Sequence, residues 1–225
     1  MNIILFHGSD HIIECPEYGA GKKNNDFGRA FYCTEDIDLA MEWACGNNTN
    51  GFANSYSLDM DSLNVLNLNA SEYNILNWLA LLTKSRTYWQ RNSISEDAKD
   101  YLQANFSLDT SESDVIIGNR ADDSYFSFAQ DFISGIISLA KLSEAMKLGK
   151  LGEQIAIKSK KAFEQLSYID SREANAEAFY PKKYIRDQSA RKAYREKKRN
   201  RDDLNELFMI DIMREGIKNG DPRIR

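Results

Sequence analysis

Apolar residues in this chain occur in short runs that turn-forming residues end, and this pattern limits the folds open to it. The first run, residues 2–6, stops at His7-Gly8-Ser9, and no apolar stretch approaches the roughly 18 residues that span a bilayer. Short runs rich in β-branched and aromatic residues favour strands, whereas apolar residues three and four positions apart favour helices. Both patterns occur along the 225 residues, so we predict one α+β core rather than a membrane protein or a disulfide scaffold.

Predicted strands and helices fill the first 170 residues. Strands are expected at residues 3–6, 29–34, 55–58, 64–68, 114–117 and 154–157. Helices are expected after Thr34 and after Ser71, each of which offers an N-cap, across 122–148 in two pieces around Gly135, and across 160–166. From Ser171 onward the pattern is helical and highly charged. We therefore predict a domain of residues 1–170 followed by a helical extension of residues 171–225.

The formal net charge of −5 conceals a basic segment near the C-terminus. Residues 181–201 contain ten basic and two acidic side chains, a charge of +8, which leaves −13 on the rest of the chain. The basic residues are Lys182, Lys183, Arg186, Arg191, Lys192, Arg195, Lys197, Lys198, Arg199 and Arg201. Such a segment can follow a phosphate backbone, because Lys and Arg release condensed counterions, or it can dock on the acidic body of its own chain. The sequence leaves both interpretations open.

Cysteine usage points to a reducing compartment. Cys15, Cys33 and Cys45 are odd in number and lack a Cys-x-x-Cys spacing. His7, His11 and Cys15 recur every four residues, as zinc ligands on a helix would, but Gly8-Ser9-Asp10 favours a turn there. We predict no metal site. Because no basic leader precedes the first apolar run, a signal peptide is not expected and the predicted location is cytoplasmic.

His7 is the first candidate for a chemical role, because it ends a buried strand and precedes two small residues. Gly8 would allow a ligand to approach the backbone closely. The structural alternative is a histidine that only caps the end of a strand. Residues 14–28, rich in Gly, Lys and Asn, are expected to form a long loop beside this site, suited to cover a bound ligand.

Two motifs together resemble the ADP-ribosyltransferase superfamily, in the branch of diphtheria toxin and the poly(ADP-ribose) polymerases that is known by its His–Tyr–Glu signature. The first is Phe6-His7-Gly8-Ser9-Asp10. The second is Asp26-Phe27-Gly28-Arg29-Ala30-Phe31-Tyr32-Cys33-Thr34, with Trp43 eleven positions after Tyr32. The resemblance implies a split, two-sheet α+β core that binds NAD in a central cleft.

The resemblance also implies roles for individual residues in NAD binding. His7 would hold the ribose and the carboxamide, with help from Gly8 and Ser9. Tyr32 and Trp43 would enclose the nicotinamide ring, although core packing is the structural alternative for Trp43. Arg29 would reach the pyrophosphate, and its structural alternative is a surface ion pair.

The third element of the signature is a glutamate at the start of a late strand, and two residues compete for this place. Glu153 fits the Glu-x-Ile spacing in Leu151-Gly152-Glu153-Gln154-Ile155. Gln154 takes the place instead when the chain is compared with a bacterial family of this clan. That resemblance spans most of residues 3–170 and includes Ile116-Ile117-Gly118-Asn119-Arg120-Ala121-Asp122-Asp123.

The two alternatives differ chemically. Cleavage of the nicotinamide–ribose bond builds an oxocarbenium-like cation, which a carboxylate stabilises, and a carboxylate can also help to deprotonate the acceptor. A glutamine supplies a hydrogen bond but neither charge nor base. If Gln154 is the operative residue, Asp122 or Asp123 becomes a candidate for acceptor activation, and helix capping is their structural alternative.

The resemblance implies an NAD-dependent mono-ADP-ribosyltransferase of bacterial or phage type. It would transfer ADP-ribose from NAD to a protein or nucleic acid, and would act as an intracellular toxin or effector with a cognate antitoxin. One alternative is a non-catalytic module of the same fold that binds nucleic acid through its basic segment. Another is an NAD glycohydrolase.

Overall fold

The structure, a computed structural model, describes residues 1–86, 94–121, 123–148, 152–200 and 205–224. Within these ranges the fold is α+β, as predicted, with strands in two sheets and helices packed around them. The strands are β1 (Asn2–Ser9), β2 (Phe31–Cys33), β3 (Gly51–Asp59), β4 (Val65–Asn67), β5 (Val115–Asn119), β6 (Glu153–Ile157) and β7 (Leu166–Ala174). The α-helices are α1 (Ile37–Ala44), α2 (Ile75–Ser85), α3 (Ile94–Phe106), α4 (Asp123–Ile133), α5 (Leu139–Ala145), α6 (Lys160–Glu164), α7 (Ala176–Arg199) and α8 (Met209–Arg214).

The two sheets meet at the C-terminal part of β1. The first sheet has the order β1-β3-β7 and is antiparallel, whereas the second has the order β2-β6-β5-β4, with β4 parallel to β5. Two backbone hydrogen bonds connect the sheets: the amide of Phe6 donates to the carbonyl of Thr34 at 2.7 Å, and that of Thr34 donates back at 3.0 Å. This pairing places the end of β1, with His7, beside β2, with Tyr32.

The C-terminal segment packs into the main hydrophobic core. This core is built from helices α2 to α5 and includes the fully buried Trp78, whose Nε1 donates to the carbonyl of Asn119 at 2.8 Å. Tyr194 of α7 and Met209 and Ile212 of α8 belong to the same cluster. Of the helices in the described part of the chain, none combines the length and the hydropathy that crossing a bilayer requires.

Two helices begin later than predicted, because the expected N-cap residues have other roles. Thr34 still pairs with Phe6 in extended conformation, so α1 starts at Ile37 and is capped by Asp36, whose Oδ1 accepts from the amides of Asp38 and Leu39. Helix α2 is capped by Asn74 rather than by Ser71. A capping box forms there through the N3 residue Asn77.

The prediction of helix from Ser171 onward is wrong, because residues 166–174 form strand β7. This strand lies at the edge of the first sheet and pairs antiparallel with β3. Most side chains of this edge strand are exposed, so the strand does not need alternating apolar residues. Because Asp170, Arg172 and Glu173 are charged, the sequence shows no strand-like alternation there. The long charged helix therefore begins at Ala176, and helix α6 ends at Glu164 rather than at residue 166. The boundary predicted between residues 170 and 171 falls inside β7.

Gly8 is required by the packing of α1 on β1, which gives a test of this contact. A Cβ at position 8 would overlap the carbonyl oxygen of Ala40 and lie 2.8 Å from the amide nitrogen of Ala44. We expect Gly8→Ala to lower the free energy of unfolding by about 1–3 kcal/mol, as overpacking does. The measurement is urea unfolding followed by circular dichroism. Gly46→Ala is the control, because its Cβ would meet Thr49 at an ordinary 3.5 Å. Equal stability of the two variants would contradict this assignment.

Candidate functional site

A cavity of about 960 Å³ lies where β1 of the first sheet meets β2 and β6 of the second. We call it the central cavity. The predicted site residues that line it are His7, Gly8, Ser9, Tyr32, Trp43 and Gln154. They come from β1, β2, α1 and β6, which are far apart in the chain. The fold therefore brings together most of the residues that the sequence analysis selected.

Residues 10–30 form one wall of the central cavity. This segment contains neither helix nor strand, in agreement with the loop predicted for residues 14–28. Its lining residues are Cys15, Pro16, Glu17, Ala20, Gly21, Lys22, Asn25, Asp26 and Ala30, and His11 and Ile13 lie at its start. A role of the segment as a cover for bound ligand stays a prediction.

His7 is held in one tautomer by the neighbouring strand. Its Nδ1 lies 2.7 Å from the carbonyl oxygen of Tyr32, and because a carbonyl only accepts, Nδ1 must carry the proton. The ring also packs on Phe31, with centroids 4.3 Å apart. Burial lowers the pKa of His7, and the hydrogen bond to Tyr32 opposes this effect only in part. At neutral pH the imidazole is therefore neutral, with Nε2 as an acceptor.

The hydroxyl of Ser9 is used within the protein. It donates to the carbonyl of His11 and accepts from Nδ2 of the buried Asn54 at 2.9 Å. The same Nδ2 lies 3.3 Å from the carbonyl of His7. Ser9 therefore closes the turn after β1, and a ligand that bound this hydroxyl would have to share it.

The two aromatic residues of the site are fixed by polar contacts. The hydroxyl of Tyr32 donates to the carbonyl of Gly28 at 2.7 Å and accepts from the amide of Phe27 at 2.9 Å, and burial raises its pKa. The guanidinium carbon of Arg120 lies 3.4 Å from the centroid of the Trp43 ring, a cation–π contact. A ligand ring that stacks on Trp43 must therefore use the opposite face of the indole.

Gln154 is oriented by a buried carboxylate, that of Asp26. Its Nε2 donates to Oδ2 of Asp26 at 2.8 Å and to the carbonyl of Asn119 at 3.3 Å. Both partners only accept, so the amide nitrogen must face them and Oε1 must point away. Oε1 accepts no hydrogen bond from the described residues, so it is a free acceptor on a residue that lines the cavity.

Asp26 itself is neutralised by an arginine. Nε and Nη2 of Arg86 donate to its Oδ1 at 2.9 and 2.6 Å, and the amide of Ala121 donates to Oδ2 at 2.8 Å. Asp26 is only 4% exposed, and a buried charge persists only when it is paired and hydrogen-bonded in this way. The negative charge of Asp26, which contacts Gln154, is therefore balanced by the positive charge of Arg86.

Two predicted site residues lie outside the central cavity. Glu153 is exposed on the other face of β6, where it accepts from Nδ2 of Asn69 at 2.8 Å, because consecutive residues of a strand point to opposite faces. Arg29 is also exposed and lines a different depression. Asp122 and the side chain of Asp123 lie outside the described residues.

Among the described residues that line the cavity, five charged side chains had no individual role predicted from the sequence: Glu17, Lys22, Asp26, Arg86 and Arg120. Asp26 stands in the motif of residues 26–34 and Arg120 in the stretch of residues 116–123, so a charged residue at a fixed place in a quoted motif was the available signal. Arg86 follows the end of α2 and had no such signal, because its partner Asp26 lies 60 residues earlier in the chain.

A comparison with protein families finds one match. A family model described as "Protein of unknown function (DUF3990)" matches residues 3–168. Every described residue that lines the central cavity lies within this range, from His7 to Phe163, whereas α7 and α8 lie beyond it. None of the curated proteins and none of the solved structures matches the chain.

The environment of His7 predicts its titration. We expect the imidazole of His7 to have a pKa below the ordinary value of about 6.5 and to carry its proton on Nδ1 when neutral. Since the unfolded chain then takes up this proton at a higher pH than the folded one, His7 lowers the free energy of unfolding as the pH falls below about 6.5. Nitrogen-15 NMR across pH 4–8 measures both properties. With two histidines in the chain, His11→Gln assigns the signals. A pKa above 6.5 for His7 would contradict the described burial.

The pairing of Gln154 with Asp26 predicts the effect of a carboxylate at position 154. In Gln154→Glu, two carboxylates would face each other at hydrogen-bond distance, which raises the pKa of the new Glu in the folded state. We expect the free energy of unfolding to fall by about 1–3 kcal/mol relative to the original protein at pH 7, and by less near pH 4, where this carboxyl is protonated. The measurement is urea unfolding at both values.

Glu153→Gln is the matched control for this experiment. It makes the reverse change at the exposed neighbouring position, where we expect a change within about 0.5 kcal/mol. If Gln154→Glu were as stable as the original protein at pH 7, the amide of Gln154 would not be bound to Asp26 as described.

Proposed function

The chain belongs to the DUF3990 family, and we propose that its central cavity binds NAD and that the protein transfers ADP-ribose from NAD to a macromolecular acceptor. The observation that carries the proposal is the convergence of His7, Tyr32, Trp43 and Gln154 on one cavity. These residues were selected from three separate motifs because of the resemblance to ADP-ribosyltransferases. A chance resemblance of short motifs gives no reason for them to meet in space.

The arrangement of the sheets supports the proposed fold family. An ADP-ribosyltransferase-like core has two sheets that enclose NAD between them. Here β1 and β2 come from different sheets and are joined at Phe6 and Thr34. The central cavity opens beside this junction and is bounded by His7 of one sheet and by Tyr32 and Gln154 of the other.

The cavity residues fit the parts of NAD in the proposed complex. The nicotinamide ring would lie between Tyr32 and the open face of Trp43, with His7 at the ribose. Lys22 and Arg120 line the cavity and replace Arg29 as the candidates to hold the pyrophosphate. Because of its contact with Trp43, Arg120 would link the phosphate site to the ring site.

Gln154 determines which chemistry this site can support. Its Oε1 would accept a hydrogen bond from a ribose hydroxyl, but the amide adds no charge to the oxocarbenium-like cation that forms as the glycosidic bond breaks. Asp26 does not supply that charge either, since Arg86 balances it. Positioning of the substrate by fixed groups would therefore contribute more here than in a site with a glutamate.

Activation of the acceptor requires another carboxylate in this scheme. Glu17 is exposed and lines the cavity, so its carboxylate is a candidate to take the acceptor's proton. Which acceptor is used stays part of the proposal, as do a role as a toxin or effector, a cognate antitoxin and a cytoplasmic location.

A second candidate function is supported by the outer face of α7. Lys192, Arg195 and Arg199 are exposed and spaced three and four residues apart, so they share one face of the helix. On the inner face, basic residues bind acidic residues of the same chain: Arg186 pairs with Glu42 at 2.6 Å, and Lys197 pairs with Glu144 at 2.6 Å. The inner face therefore docks on acidic residues of the same chain, whereas the outer face would suit a module that binds nucleic acid.

Release of nicotinamide from NAD tests the proposed function. We expect the purified protein to release nicotinamide, and His7→Ala and Gln154→Ala to lower kcat/KM by about 100-fold, as loss of a fixed polar group near the reacting atoms does. Glu153→Ala is the control and should stay within about twofold, because Glu153 lies outside the cavity. Circular dichroism verifies that each variant is folded, and chromatography quantifies the nicotinamide.

Labelled NAD distinguishes a transferase from a glycohydrolase. With NAD labelled in its adenine ring, a transferase leaves label on a protein or nucleic-acid acceptor, whereas a glycohydrolase releases nicotinamide without such labelling. No release at all, combined with salt-sensitive binding of nucleic acid, would contradict the enzymatic proposal and favour the module. Equal rates for His7→Ala, Gln154→Ala and Glu153→Ala would exclude the central cavity as the active site.

A further inference from the structure

Arg29, which was expected in the NAD site, lies in a second depression of about 460 Å³. We call it the basic depression. It lies on the other side of the segment that walls the central cavity: Lys22, Asp26 and Ala30 line the central cavity, while Lys23 and Arg29 line the basic depression. One short piece of chain therefore separates the two.

Four cationic side chains meet in the basic depression. Lys23 and Arg29 come from the 10–30 segment, Lys84 from the end of α2 and Lys158 from the residue after β6. Among the described residues that line the depression, none is acidic. This convergence stands out in a chain of net charge −5, in which acidic residues outnumber basic ones. The carboxylate of Asp109 interacts electrostatically with Lys84, but it is not among the lining residues.

The described part of the chain does not pair these charges. None of the four side chains forms a salt bridge there, and Nζ of Lys158 has a neutral partner, Oγ1 of Thr110, at 3.4 Å. Burial lowers the pKa of Lys158, and the charge of Lys84 lowers it further. Like charges held close together oppose one another, so a bound anion would stabilise the cluster.

The rest of the basic depression is suited to more than a free anion. Phe27 and Leu81, which are 4% and 5% exposed, provide a small apolar surface, while Asn24, Ser85 and Thr110 provide neutral polar groups. A volume of about 460 Å³ lies within the range of small-molecule sites, which combine apolar walls with a few polar groups. These features together match a ligand with a flat apolar part and a phosphate.

We propose that the basic depression binds a nucleotide through its phosphate, with Arg29 and Lys158 as the main phosphate ligands. Arg29 can bind two phosphate oxygens at once, and Lys158, directly after β6, would add a point charge. The apolar side chains would then contact the base. This inference does not depend on the proposed transfer reaction, because the depression is separate from the central cavity and its test uses no NAD.

Calorimetric titration with AMP, with adenosine as the ligand that lacks a phosphate, tests the proposal. We expect AMP to bind at low salt and adenosine to bind about tenfold more weakly or not at all. Arg29→Gln and Lys158→Gln should each weaken AMP about fivefold or more, and added salt should reduce the affinity. Lys192→Gln is the matched control, since it removes one exposed charge elsewhere and should change the affinity less than about twofold.

A variant in the central cavity and a second pair of ligands test where AMP binds and which kind of phosphate is recognised. Arg120→Gln removes a group proposed to hold the pyrophosphate in the central cavity and should leave the affinity for AMP within about twofold. A 5′-phosphorylated dinucleotide, compared with its dephosphorylated form, tests whether the phosphate at the end of a nucleic-acid strand is bound as well as that of a free nucleotide. Loss of binding in Arg120→Gln but not in Arg29→Gln would place the ligand in the central cavity and overturn the proposal. So would equal losses in Arg29→Gln, Lys158→Gln and Lys192→Gln, or equal affinities for AMP and adenosine.

Discussion

The pairing of Phe6 with Thr34 is the contact on which the central cavity depends. Two backbone hydrogen bonds, at 2.7 and 3.0 Å, connect a strand of the first sheet to the end of a strand of the second. Immediately beyond this pair, the ring of His7 binds the carbonyl of Tyr32. Side-chain and main-chain contacts thus act at the same junction: the sheets bring the two residues together, and the hydrogen bond fixes the proton on the imidazole. Removal of the junction would separate the residues proposed to hold the two ends of one nicotinamide riboside.

A buried ion pair organises the opposite side of the cavity. Burial of the Asp26 carboxylate is costly unless every oxygen is paired, and here Arg86, Ala121 and Gln154 supply the donors. The amide of Gln154 is consequently fixed with its nitrogen toward Asp26. A glutamate at this place would meet a like charge, so the surroundings of position 154 select an amide. If the central cavity is an ADP-ribosyltransferase site, as we propose, this contact gives a physical reason for an amide at the place of the glutamate in the His–Tyr–Glu signature.

Residues 22–30, which form neither helix nor strand, line the central cavity on one side and the basic depression on the other. Lys22 and Asp26 face the central cavity, and Lys23 and Arg29 face the basic depression. A ligand on one side would therefore contact the same piece of chain as a ligand on the other. If both proposals hold, a phosphate-bearing ligand and NAD would be separated only by this segment.

Local patterns in the sequence predicted the α+β class and most strands, because periodicity acts within a few residues. The resemblance of short motifs to a known superfamily, rather than periodicity, pointed to His7, Tyr32 and Trp43, which line the central cavity. The sequence also required Glu153 and Gln154 to point to opposite faces of one strand, since side chains alternate along it. Only the tertiary structure decided that Gln154 is the inner one, because this depends on which face of β6 meets the other sheet. Tertiary structure also decided that Asp26 pairs with Arg86, which lies 60 residues away. It likewise decided that β7 is a strand, because its exposed charged residues show no alternation and only its pairing with β3 identifies it. Packing determines which distant segments come into contact, whereas the patterns that can be recognised in a single sequence extend over only a few residues.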